Sequence, residues 1–145
     1  MRYPMEFDEQ VKAAGSGTLI SGFPAYVFTM DAPVDGDALR YGVEQSMRCH
    51  PLFCCRMVRS EEHVGEYEWE DNDLPAVVEH KDRDADCIFG DESNNYYPWI
   101  VTFDDCDVVY TCTHALTDGM GAVEFMKTVL YCYSERLGET MENDG

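Results

Sequence analysis

Two runs of β-forming residues, "YPWIVTFDD" at 97–105 and "DVVYTCTH" at 107–114, are joined through "DDCD", which leaves room only for a tight connection. Trp, Ile, Val, Phe, Tyr and Thr suit a pleated, half-buried surface, so both runs read as strands. The period then changes. From Gly121 to about Leu137, apolar residues recur at three- and four-residue spacing: Val123, Met126, Leu130, then Tyr133 or Leu137. That is one face of a helix, and Gly138 supplies a C-terminal stop.

The upstream half repeats the alternation of strand and helix. "AYVFTMDAPV" reads as a strand closed by a proline, and "DGDALRYGVEQSMRCH" as a helix with Asp35 or Asp37 as its cap. Leu39, Val43 and Met47 recur along one side of that helix, and Pro51 ends it by forcing the preceding residue out of helical geometry. "LFCCRMVRS", "EYEWED" and "AVVEHK" follow as strands, with "NDLP" as a turn and the acidic stretch 81–95 as the longest loop. The order strand, helix, several strands, helix predicts an α/β fold: a two-layer sandwich with helices packed on a largely antiparallel or mixed sheet. The expected organisation is a flexible lead-in over 1–17, a single lobe over 18–138 and a frayed tail over 139–145.

With 29 acids against 10 Lys and Arg, the formal net charge is −19. Such a chain repels nucleic acid and anionic membrane surfaces. No apolar run approaches the roughly 20 residues of a membrane helix, and "MRYPMEFDEQ" has no apolar signal core, so a cytoplasmic location is the default. The seven cysteines are odd in number and lack C-x-x-C spacing, which fits reduced, mostly buried thiols rather than a disulfide or zinc framework.

Chemistry concentrates in "THALTDGMGA" at 113–122. His114 ends a strand where the chain turns toward a helix, and an imidazole of pKa about 6.5 suits general-base work near neutrality. Asp118 stands near the helix start, where a carboxylate caps amides and is favoured by the helix dipole. Gly119 permits close backbone approach. The same residues also fit a plain strand-end histidine and an ordinary N-cap. Metal binding is disfavoured, because no third ligand follows in the helix and His50, His63 and His80 lie far upstream.

H-A-L-T-D-G followed by "MGAVEFMKTVL" resembles the H-x-x-x-D-G motif of the chloramphenicol acetyltransferase-like superfamily, which includes peptide-synthetase condensation domains and alcohol acyltransferases. "ALRYGVEQSMRCHPLFCCRMV" resembles the helix and strand of their N-terminal lobes, "YEWEDND" and "PWIVTFDDCDVVYTCTH" their sheet strands, so the likeness spans about residues 20–138. It is strongest to the first lobe of bacterial alcohol acetyltransferase-like proteins. The resemblance implies His114 as general base toward an acceptor hydroxyl or amine, which attacks the thioester of acetyl-CoA or another acyl-CoA. That donor is a co-substrate, and no bound cofactor or metal is implied. Asp118 would be structural, paired with an arginine, Arg48 or Arg56, and Gly119 would let the turn pass the tunnel. Thr113 replaces a histidine common before the motif, and Cys49 and Cys54 stand where condensation domains often carry arginines.

Two-lobed relatives are about three times as long, so the resemblance implies a partner: a second lobe or further copies of the chain. A non-catalytic binding or assembly module, or a fragment that keeps the lobe fold, is the alternative.

Overall fold

The computed structural model describes residues 2–4, 25–62, 67–82, 92–112 and 119–144. Its centre is the hairpin of β6 (Trp99–Asp104) and β7 (Asp107–Cys112), with Asp105 at φ 48° in the tight connection. Aspartate is among the few residues that tolerate this left-handed conformation. β2 (Ala25–Thr29) lies antiparallel to β7, and β5 (Val78–His80) parallel to β6, giving a mixed sheet of order β2-β7-β6-β5. One face of the hairpin, Trp99, Val101, Val108, Tyr110 and Cys112, enters the main core; Ile100, Thr102, Val109 and Thr111 on the other face are buried too. Burial on both faces explains why these strands read as near-continuous apolar runs.

The described strands form two sheets. β1 (Arg2–Pro4), β4 (Tyr67–Asp71) and β3 (Cys55–Arg59) make a separate antiparallel sheet of order β1-β4-β3. Cys55 and Trp69 from this sheet join the same core cluster. Arg2–Pro4 falls within the expected lead-in, and a three-residue edge strand is too short to show a period of its own. Residues 52–54, expected as the start of a strand, belong to a 3-10 turn opened by Pro51, and β3 begins at Cys55.

Helix α1 (Gly36–Cys49) starts at Asp35, whose Oδ1 accepts from the N–H groups of Asp37 and Ala38 at 3.0 Å each. Its expected face is confirmed, with Leu39, Val43 and Met47 all buried. Helix α2 runs Gly119–Asp144, past Gly138 and through the tail expected to fray. One glycine costs a helix about 1 kcal/mol, too little to stop it where no proline follows. The buried seam of α2 is Ala122, Phe125, Met126, Val129 and Tyr133, while Val123 and Leu130 are half-buried. Nine of the twelve residues from Ala122 to Tyr133 are apolar, so several stripes fit the spacing and packing selects one.

The helices run antiparallel: Ser46 Oγ donates to the Phe125 carbonyl at 2.8 Å, and the Asp35 N–H donates to the Tyr133 hydroxyl at 3.1 Å. Between these bonds Gly42 meets the backbone of Val129 and Tyr133, so close that a Cβ at 42 would lie 2.5 Å from the Val129 oxygen. Ala38, Gly42 and Ser46, one small residue per turn, allow that approach.

Candidate functional site

β7 ends at Cys112 and α2 begins at Gly119. The strand and helix expected to flank the H-x-x-x-D-G stretch are therefore both present. His114 and Asp118 themselves lie outside the described residues. Gly119 is the first residue of α2. The antiparallel helix pair brings this start beside the end of α1, where Cys49, His50 and the 3-10 turn Pro51–Cys54 lie.

An aromatic cluster forms the floor of this region. Phe53 and Phe125 stack with ring centroids 4.1 Å apart, and Trp99 and Tyr110 pack against both. Trp99 Nε1 donates to the Phe53 carbonyl at 3.0 Å, which ties the 3-10 turn to β6. His50, to which the sequence reading assigned no role, joins the cluster. Its ring meets Phe53 and Phe125 edge-on, and Nε2 lies 3.4 Å from Thr128 Oγ1. Thr128 Oγ1 itself donates to the Glu124 carbonyl at 3.2 Å, so its oxygen is free to accept from His50 Nε2–H. The adjoining Pro51 was the signal that could have found His50, since it fixes the residue before it at a helix end.

Tyr110 and Cys112 are buried titratable residues of the strand that leads into the motif. Burial pushes the Cys112 thiol up to about 11 and the Tyr110 phenol well above its ordinary range, so both stay protonated at neutral pH. The Tyr110 hydroxyl is the buried side-chain oxygen without a hydrogen-bond acceptor or donor of ordinary geometry among the described residues. A second buried thiol, Cys55, borders a space of about 210 Å³ with Pro51, Leu52 and Asp71. Burial, and then the Asp71 carboxylate, raise its pKa to about 11. Neither thiol has the lowered pKa of a nucleophile.

The two arginines considered for Asp118 are placed differently. Arg56 on β3 donates from Nε and Nη2 to Glu70 Oε1, its cross-strand partner on β4, at 2.8 and 2.5 Å. Arg48 is exposed in the last turn of α1, the turn nearest the start of α2. Arg40 pairs with Asp37 and Lys127 with Glu124, each on its own helix. No group of three or more His, Cys, Asp or Glu side chains among the described residues is arranged to hold a metal, and none of the described helices is long and apolar enough to cross a membrane. The six described cysteines are free thiols.

Taken together, a mixed sheet, a second antiparallel sheet and two packed helices define an α/β fold that resembles one lobe of condensation-domain and acyltransferase structures. Comparison with solved structures gives the particulars. The starter condensation domain of rhizomide synthetase RzmA matches at TM-score 0.68 and 8% identity, over 95% of this chain and 38% of that one. Polyketide synthase associated protein 5 from Mycobacterium tuberculosis matches at TM-score 0.66 and 12% identity, over 93% and 33%. F. sporotrichioides TRI101, solved with coenzyme A and T-2, matches at TM-score 0.58 and 10% identity, over 93% and 41%. The chain thus spans about a third to two fifths of the length of these structures. No family model and no curated protein matches the sequence.

Proposed function

We propose that the chain is the histidine-bearing lobe of a coenzyme A thioester-dependent acyltransferase, working with a second lobe or subunit. The observation that carries this reading is the coincidence of fold and motif. H-x-x-x-D-G falls between the end of β7 and the start of α2, in a chain whose fold resembles one lobe of condensation and acyltransferase structures.

In this reading the His114 imidazole takes the proton of an acceptor hydroxyl or amine as its oxygen or nitrogen attacks the thioester carbonyl. The tetrahedral adduct collapses, the carbon–sulfur bond breaks, and the proton is passed to the departing thiolate. Such base catalysis is worth roughly 10²–10⁴-fold. Asp118 holds the turn. Arg48 is its proposed partner, because it belongs to the turn nearest α2 while Arg56 is engaged by Glu70. With a net charge of −19, the contacts for the anionic donor are assigned largely to the completing lobe or subunit.

The test mixes the protein and its completing partner with acetyl-CoA and a panel of alcohols and amines, and follows free thiol. Turnover that falls at least 100-fold in His114→Ala supports the reading; turnover unchanged by that substitution overturns the role of His114. The charge of −19 also favours a second reading, a non-catalytic assembly module with the lobe fold. It predicts partner binding without acyl-CoA binding by calorimetry.

A further inference from the structure

Two loops beside the small sheet are tied into one surface. Asn72 Nδ2 donates to the Asn95 carbonyl and Asn95 Nδ2 to the Pro75 carbonyl, each at 2.7 Å. The Tyr97 hydroxyl donates to the carbonyls of Asn72 and Leu74, and the buried Asn94 Nδ2 holds the carbonyls of Tyr97 and Trp99 at 3.0 Å. This scaffold presents two of the exposed large apolar side chains of the described residues, Leu74 at 44% and Tyr96 at 38% exposure.

Tyr96 is held at a cost. Asn95 and Tyr96 have φ 58° and 68°, consecutive residues in the left-handed region. Asparagine tolerates that conformation, but a bulky aromatic residue there is a strained outlier that glycine would relieve. The Arg56 guanidinium lies 5.4 Å from the Tyr96 ring centroid while bonded to Glu70, so the ring is also oriented from β3. A rigid tyrosine backed by an arginine is the kind of anchor that dominates protein interfaces. Asp73 in the first loop and Glu92, in the 3-10 turn that leads into the second, are both exposed, and the whole chain is at −19.

We infer that loops 72–75 and 94–97 form a docking surface for a basic protein segment, which lays an aliphatic or aromatic side chain against Leu74 and Tyr96 and sets Lys or Arg beside Asp73 and Glu92. Charge complementarity selects this occupant. A second copy of the chain brings the same acids and the same net charge to the contact, which disfavours it. The inference goes beyond acyl transfer and does not depend on it.

The test selects random 12-residue peptides displayed on phage, in parallel on the wild-type protein and on the Leu74→Ser/Tyr96→Gly variant. Glycine is at home at φ 68°, so the variant is expected to keep its fold, checked by circular dichroism; each single substitution serves as a second variant. Peptides enriched on the wild type are expected to be net positive and to carry at least one large apolar residue. The resynthesised consensus should bind the wild type at least tenfold tighter than the variant, and more weakly as salt is raised. Equal binding to both proteins, or enrichment of neutral or acidic peptides, overturns the inference. So does a wild-type dimer in light scattering that the variant loses, which would make the occupant a second copy.

Discussion

Replacing Gly42 by alanine tests the backbone contact between the helices. In an open helix this change stabilises by about 1 kcal/mol, because alanine loses less conformational freedom. At Gly42 the added Cβ would stand 2.5 Å from the Val129 oxygen and 3.2 Å from the Tyr133 nitrogen, both backbone atoms that cannot swing aside. Restoring an ordinary carbon–oxygen contact requires the helices to part by roughly 0.8–1 Å. That movement would stretch the 2.8 Å bond from Ser46 to Phe125 beyond hydrogen-bonding range, a loss of about 1 kcal/mol. Overpacking of this kind costs about 1–3 kcal/mol. With the lost hydrogen bond added and the helix gain subtracted, Gly42→Ala should destabilise by about 1–3 kcal/mol. Gly138→Ala is the control: no atom lies within 4 Å of its added Cβ, so only the gain of about 1 kcal/mol remains. Urea unfolding followed by tryptophan fluorescence reads both variants, since Trp69 and Trp99 are buried. A Gly42→Ala midpoint at or above wild type would refute the close helix packing.

Asp35→Ala removes the acceptor for two amides of α1 and should cost about 1 kcal/mol in the same assay; an unchanged midpoint would show that water replaces the cap. Tyr110→Phe deletes a buried hydroxyl without an ordinary partner, so stability should hold or rise by up to about 1 kcal/mol, and a loss of more than that would reveal a hydrogen bond to it. Alkaline pH should destabilise the fold. Cys55 and Cys112 rise from 9.0 to about 11 and Tyr97 from 10.0 to about 12, the largest cause in each being burial. Their folded forms keep protons that the unfolded chain releases, so stability is intact below pH 9 and falls as pH rises from 9 toward 12. A melting temperature flat from pH 9 to 11 would contradict that burial.

Much of the fold was legible because local rules sufficed for it. The β6–β7 pair, the Asp35 cap, the Leu39–Val43–Met47 face and the break at Pro51 each follow from a few adjacent residues. The strand-to-helix switch around the H-x-x-x-D-G stretch was legible in the same way. Other features depended on distant partners. Arg2–Pro4 becomes a strand only because β4 offers an edge 64 or more residues away in sequence. Gly138 could not be seen to stay helical, since a glycine is ambiguous between a stop and a tolerated weak point. The buried stripe of α2 was unreadable because α1 chooses it.

By itself, then, the sequence determined the class of fold, the order of its main strands and helices from β2 onward, and a strand before and a helix after the H-x-x-x-D-G stretch, all matters of short-range stereochemistry and periodicity. Only the tertiary structure decided that the strands divide into two sheets, that α1 and α2 touch through Gly42, that His50 joins an aromatic floor, and that Arg56 is engaged by Glu70 while Arg48 stands in the turn nearest α2. Those outcomes are set by packing between residues far apart in the chain, where burial and hydrogen-bond satisfaction outweigh local propensity.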